Sequence, residues 1–190
     1  MKKLRIGFAM TGSFCNFDVV LKSLEKLAKK DVEIFPIMSE TASATDTRFG
    51  KAEDWVEKIK EITGKEIMNT IVEAERVGPE LNFDIIVVAP CTGNTTAKLA
   101  NAITDTAVTM ACKAQLRNQK PIVLAIATND GLGLNGKNIG LLLSTKNVYF
   151  VPFTQDDPVG KPNSLVADFD LIEPTIEHAL KGKQIQPVLL

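Results

Sequence analysis

Apolar residues along the 190-residue chain follow two alternating rhythms, short unbroken runs and longer stretches with helical spacing. Leu4–Met10 is the first run, and Thr11-Gly12-Ser13 ends it as a strand passing into a tight turn. Downstream, Val20, Leu21, Leu24 and Leu27 recur at three- and four-residue spacing, which predicts one face of an amphipathic helix over 17–27. A second strand is predicted over 32–38, and the Ser-, Thr- and Ala-rich stretch 39–50 reads as a loop. Helical patterns follow over 52–62 and 65–77, parted by Thr63-Gly64. Residues 83–89 are almost continuously apolar, the pattern of a strand covered on both faces. After a turn over 90–94 a helix is expected over 95–102, and Asp105 is placed to cap another running through Met110, Cys112 and Leu116. The remaining expectations are strands over 121–127 and 148–153, a helix over 139–143, and a closing helix over 165–180 that Pro174 breaks or kinks.

Five strands alternating with helices imply an α/β fold with a single doubly wound, mostly parallel sheet flanked by helices. This is a Rossmann- or flavodoxin-like three-layer arrangement. No repeat, low-complexity tract or linker divides residues 1–190, so one domain is expected. Ligands of such sheets sit at the carboxyl ends of the strands. The candidate site segments are therefore 11–15, 39–50, 90–95, 128–138 and 154–164.

Composition narrows the classes. Lys plus Arg total 22 against 23 Asp plus Glu, which removes the electrostatic reason to expect a nucleic-acid or anionic-membrane partner. No apolar run approaches the ~18–20 residues of a membrane helix. Gly7, Thr11, Gly12 and Ser13 interrupt the N-terminal apolar stretch, which reads as a strand and turn and not as a secretory leader. Cys15, Cys91 and Cys112 show no C-x-x-C spacing, so reduced thiols in the cytoplasm are expected. With His178 as the only histidine, neither a multi-histidine metal site nor a Ser-His-Asp triad is expected.

Three loops carry candidate chemistry. Thr11-Gly12-Ser13 offers backbone N–H groups, a hydroxyl and a close approach at Gly12, suited to a phosphate; the plain alternative is a turn with Ser13 as its cap. Residues 90–96 concentrate Thr92, Asn94, Thr95 and Thr96 at a predicted helix start, more polar groups than one cap requires. The third loop holds Gly131, Gly133 and Gly136 in G-x-G-x-x-G spacing, with Asp156 further on, the formal elements of a dinucleotide fingerprint. Thr128-Asn129-Asp130 separates the strand from the first glycine, where the fingerprint wants an immediate turn, so the loop reads better as a flexible, substrate-covering segment. Cys15 and Cys91 are expected to pack as small apolar side chains, and Trp55 to lie in core or interface.

Thr11-Gly12-Ser13 after the first strand, and Ala-Pro-x-Thr-x-Asn-Thr-x-Ala-Lys over 89–98 with Asp105 following, resemble the flavoprotein family. That family includes the flavin-containing cysteine decarboxylases, phosphopantothenoylcysteine decarboxylase and the flavin prenyltransferases. The resemblance implies an FMN site: Gly12 and Ser13 at the phosphate with the loop beginning at Pro90, Ser39 near it, and Thr92, Asn94 and Thr95 against the flavin. Ala127, Thr128 and Asn129 stand where the decarboxylases carry Pro-Ala-Met-Asn. Those enzymes place a catalytic histidine shortly before the strand that leads into the 89–98 motif. This chain reads Gly78-Pro79-Glu80-Leu81-Asn82 there, which argues against cysteinyl decarboxylation.

The C-terminal third narrows the resemblance through Asp130-Gly131-Leu132-Gly133, Asn138-Ile139-Gly140, Tyr149-Phe150-Val151-Pro152-Phe153, Gln155-Asp156-x-Pro158 and Lys161-Pro162-x-Ser164. The branch it resembles oxidises a dihydropyridine dicarboxylate together with a separate subunit that has a nicotinamide-binding fold. NAD(P) is therefore expected on the partner, and Arg48, Lys98 and Lys161 are candidates for the substrate carboxylates. A homo-oligomer, trimer or dodecamer, is implied. No residue is singled out as catalytic. Rival readings are an independent FMN-dependent decarboxylase or flavin prenyltransferase, and a non-catalytic accessory binding subunit.

Overall fold

The computed structural model describes residues 3–190. Five strands run parallel: β1 (Leu4–Met10), β2 (Val32–Met38), β3 (Ile85–Thr92), β4 (Ile122–Thr128) and β5 (Val148–Phe150), in the order β2-β1-β3-β4-β5. Order 2-1-3-4-5 is the flavodoxin-like winding, whose reversal point lies between β1 and β3. Two short strands, β6 (Phe153–Thr154) and β7 (Leu165–Ala167), complete the sheet, with β7 antiparallel to the upper end of β4 through Ala127 and Thr128.

The central strands are apolar throughout because both faces are covered: Ile85 to Cys91 and Ile122 to Ala127 are all buried. Helix α1 (Phe17–Ala28) turns Phe17, Val20, Leu21, Leu24 and Leu27 inward. Trp55 of α3 (Ala52–Thr63) meets Phe17 edge-on at 5.4 Å between ring centroids, so the tryptophan is a core residue as expected. On the neighbouring face Gly7 lies so close to Phe83 that a Cβ there would stand 2.8 Å from the ring. Among the described residues no helix is long and apolar enough to cross a membrane.

Several predicted elements are corrected. Residues 39–50 are not all loop, since Ser39 caps a short helix α2 (Glu40–Ala44) by accepting from the Ala42 N–H at 3.2 Å. The expected helix over 65–77 is shortened to α4 (Ile71–Glu75). Met68 instead pairs with the end of β2, and Thr70 and Glu73 form a capping box that starts the helix late. A wider turn over Val77–Leu81 then leads to β3.

Further along, Asp105 does not cap α6 (Ala107–Arg117). Thr106 does, reciprocally with Thr109. The helix expected over 139–143 starts earlier, as α7 (Gly136–Leu143), the apolar run at 165–167 is strand β7, and the closing helix α8 spans only Ile172–Ala179. Pro174 therefore sits in the first turn, where no N–H is needed, and breaks nothing.

Candidate functional site

The reversal of strand order leaves a crevice over the tips of β1 and β3, and the chain closes it with polar side chains. Thr11, 1% exposed, joins the two tips: its hydroxyl donates to the Pro90 carbonyl at 2.7 Å and accepts from the Thr92 N–H at 3.0 Å. Pro90 is thus a buried anchor beneath the site and not part of its wall. Thr92 caps α5 (Gly93–Ala100), accepting from Thr95 N–H at 3.2 Å. Gly93 begins that helix with no room to spare, since a Cβ would lie 2.5 Å from Thr128 Oγ1 and 2.8 Å from Asn135 Nδ2.

Two hollows open above this frame. The first, about 230 Å³, is lined by Thr11, Gly12, Ser39, Glu40, Thr41, Thr92, Asn94, Thr95, Lys98 and Thr106. Asn94 is exposed, and neither its side chain nor the Gly12 N–H has a hydrogen-bond partner among the described residues. Among the described residues Glu40 is the one carboxylate lining this hollow, and it accepts from Ala107 N–H at 3.3 Å. Lys98 donates to Asp105 at 2.9 Å, and that hydrogen bond holds the Asp105 carboxyl below its ordinary range. The lysine keeps two ammonium hydrogens.

The second hollow, about 200 Å³, is lined by Ser13, Cys15, Asn16, Ala127, Thr128, Asn129, Asp156, Lys161 and Val166. Thr92 and Ala127 are cross-strand partners in the β3–β4 ladder, so the hollows sit side by side. Asp156 receives the Ser164 hydroxyl at 2.5 Å and the Lys161 ammonium at 3.2 Å. Burial pushes the Asp156 carboxyl up, but these two contacts outweigh it and hold the group below the usual carboxylate range.

Most of the predicted residues are brought together: Gly12, Ser39, Thr92, Asn94, Thr95 and Lys98 in the first hollow, Ser13, Ala127, Thr128, Asn129 and Lys161 in the second. Arg48 is not. It lies over the Phe49 ring at 4.8 Å and lines neither hollow. Ser13 makes no capping bond and instead accepts from Asn16 Nδ2 at 2.9 Å.

Sequence reasoning missed Asn16, Thr106 and Val166, which lie outside every candidate segment, and included Glu40 and Thr41 only as unnamed members of 39–50. Asp156, by spacing a formal dinucleotide acid, belongs to the second hollow. The glycine-rich loop is tied by contacts of its own. Asp130 accepts from the Leu134 N–H, and Leu165 fills the space where a Gly131 side chain would project. His178 is distant in role as well, its Nδ1 lying 2.9 Å from the Pro174 carbonyl within α8.

The cysteines divide in two. Cys91 and Cys112 are buried, and burial raises both thiols, Cys91 to about 12 despite the opposing hydrogen bond with Thr96. Cys15, expected to pack, is exposed on the wall of the second hollow. N-ethylmaleimide at neutral pH should therefore modify one thiol in the native protein, Cys15, and three after unfolding. Rapid native labelling of Cys91 by peptide mass would contradict this burial.

A doubly wound sheet with a polar crevice at its reversal point is the frame of a nucleotide- or flavin-binding protein. The family model described as Flavoprotein matches residues 1–162, and the chain belongs to that family. The B subunit of dipicolinate synthase from Bacillus subtilis (strain 168) is 50% identical over 190 residues, all of this chain and 95% of that protein. The crystal structure of the corresponding dipicolinate synthase subunit from Bacillus halodurans C is similar at a TM-score of 0.91 and 49% identity, over 100% of this chain and 98% of that one. The FMN-dependent cysteine decarboxylase SpaF shares the fold, with a TM-score of 0.69 at 21% identity over 94% of this chain and 95% of that one.

Proposed function

We propose that this chain, read as one flavoprotein-type domain over residues 1–190, is the FMN-binding B subunit of a dipicolinate synthase. It would work in the cytoplasm with a separate A subunit to oxidise dihydrodipicolinate during sporulation. The observation that carries the reading is the donor-rich crevice at the β1–β3 reversal, in a chain 50% identical over its whole length to the B subunit of a dipicolinate synthase.

The residues suit FMN by the chemistry of their donors. In the first hollow the Gly12 N–H, the Asn94 amide and the spare Lys98 hydrogens are available to a phosphate and ribityl chain. Ser39 and Thr95 each accept within the frame, from the Ala42 N–H and the Thr92 hydroxyl, and keep a hydroxyl hydrogen for the same space. Ala127, Thr128 and Asn129 supply the neighbouring wall, toward the ring system. FMN, when bound, supplies acceptance of a hydride from the substrate ring carbon as that ring aromatises. The chain's own contribution is to bind, orient and exclude water. NAD(P), in this reading, belongs to the A subunit, and the B subunit forms a homo-oligomer, a trimer or dodecamer.

The test is a visible spectrum of the purified protein, repeated after addition of excess FMN and desalting. Flavin bands are expected to persist, and Asn94→Ala, which removes a first-hollow amide, should weaken retention by about tenfold, the cost of a hydrogen bond to a bound ligand. Absence of flavin in both samples would leave an accessory binding subunit in place of a redox one.

A further inference from the structure

Resting on the reading above, we propose that the second hollow is the carboxylate subsite for the pyridine dicarboxylate, with Lys161 meeting one carboxylate and Asp156 acting as its positioning residue. Of the three cations the sequence offers, Arg48 lines neither hollow and Lys98 lines the first, leaving Lys161 as the cation of the second.

The hydrogen inventory of this hollow favours an anion. Ser13 Oγ accepts from Asn16 at 2.9 Å, and its hydrogen has only the weak sulfur contact with Cys15 at 3.9 Å, leaving it for a better acceptor. Thr128 Oγ1 accepts from Asp130 N–H at 3.2 Å and keeps its hydrogen too. Lys161 directs one of three ammonium hydrogens to Asp156, so two remain. The single carboxylate that lines the hollow among the described residues, Asp156, is already answered at both oxygens, Oδ1 by Ser164 and Oδ2 by Lys161. What is left over, beside the Asn16 and Asn129 side-chain amides, is a set of donors around a cation.

Asp156 owes its positioning role to what holds it. Ser164 is fully buried, its one hydroxyl hydrogen is directed at Asp156, and Asn129 Oδ1 stands 3.5 Å from the same oxygen. A rigid carboxylate thus restrains a long, half-exposed lysine that would otherwise sample solvent. The 155–163 segment is fixed in turn, with Gly160 N–H donating to Asp157 at 2.8 Å and Lys161 N–H to the Asp157 carbonyl at 2.8 Å. The lysine therefore enters the hollow from a braced turn.

Calorimetric titration with dipicolinate, on protein with and without added FMN, tests this directly. Lys161→Ala is expected to weaken binding about tenfold or more, as loss of a charge-assisted contact should, and Lys161→Arg to recover most of it. Asp156→Asn should weaken binding about threefold or more in the wild-type background and have no further effect in Lys161→Ala. An Asp156 that only supported the loop would weaken binding in both backgrounds.

Wild-type affinity in Lys161→Ala, a loss in Lys98→Ala in its place, or no dipicolinate binding by the wild-type protein in either condition would overturn the proposal. Lys161-dependent binding in a protein that retains no FMN supports the subsite and sinks the flavin reading. Retained FMN with Lys161-independent binding does the reverse.

Discussion

Thr11→Val is expected to destabilise the protein by about 1–3 kcal/mol and to cost it most of its affinity for FMN. Valine matches threonine in shape, so packing is nearly unchanged and the hydroxyl alone is removed. That hydroxyl is buried, donates to the Pro90 carbonyl at 2.7 Å and accepts from the Thr92 N–H at 3.0 Å. The Pro90 carbonyl keeps the Thr11 N–H at 3.2 Å, but the Thr92 N–H is left without its acceptor. An unpaired buried donor carries its full desolvation cost, which exceeds the net worth of an ordinary hydrogen bond.

The consequence for the ligand follows from position. Gly12 and Thr92, the neighbours of this lock, both line the first hollow. Thr11→Ser, which retains the hydroxyl and loses one methyl, should cost about 1 kcal/mol and keep the flavin. Urea unfolding together with FMN titration of the two variants checks the pair. Equal flavin affinity in Thr11→Val and Thr11→Ser would show that the hydroxyl does not set the loop.

The second large effect is expected at Gly93→Ala. Helix propensity favours alanine over glycine by about 1 kcal/mol, which argues for stabilisation. Sterics argue the other way: the new Cβ would lie 2.5 Å from Thr128 Oγ1, 2.8 Å from Asn135 Nδ2 and 3.2 Å from Thr128 Cβ. Thr128 is stiff at χ1, and its Oγ1 already accepts from Asp130 N–H, so it cannot swing aside freely.

Overpacking of this kind costs about 1–3 kcal/mol, so the clash wins and the melting temperature should fall by several degrees. Because the displaced atoms belong to Asn135 and to Thr128 on the wall of the second hollow, FMN retention should fall about tenfold with it. A melting temperature at or above that of the wild-type protein would mean the clash is absorbed locally.

How much of this was legible beforehand depends on the range of the forces involved. Strands β1, β2, β3 and β4 could be read from their apolar runs because burial of both sheet faces imprints continuous hydrophobicity on the chain. Helices α1 and α3 could be read from spacing, since each buries one stripe. Strand β7 could not. Three apolar residues, Leu165 to Ala167, suit a helix start equally well, and only the unpaired upper edge of β4 decides that they extend. Likewise the start of α6 turned on whether Asp105 or Thr106 formed the cap, and the ion pair of Asp105 with Lys98 settles it in favour of Thr106.

The site divides along the same line. Placement of polar residues directly after strands is local, so the sequence placed the segments 11–15, 39–50, 90–95, 128–138 and 154–164 at one end of the sheet. Which of them share a hollow is a matter of strand order and of contacts across 30 to 80 positions. Tertiary structure alone separated Gly12 from Ser13, left Arg48 out of both linings, and set the local Asp156–Lys161–Ser164 cluster beside Asn129. Periodicity records what each segment buries, whereas the pairing of polar groups depends on the packing of distant segments, which leaves no periodic trace in the chain.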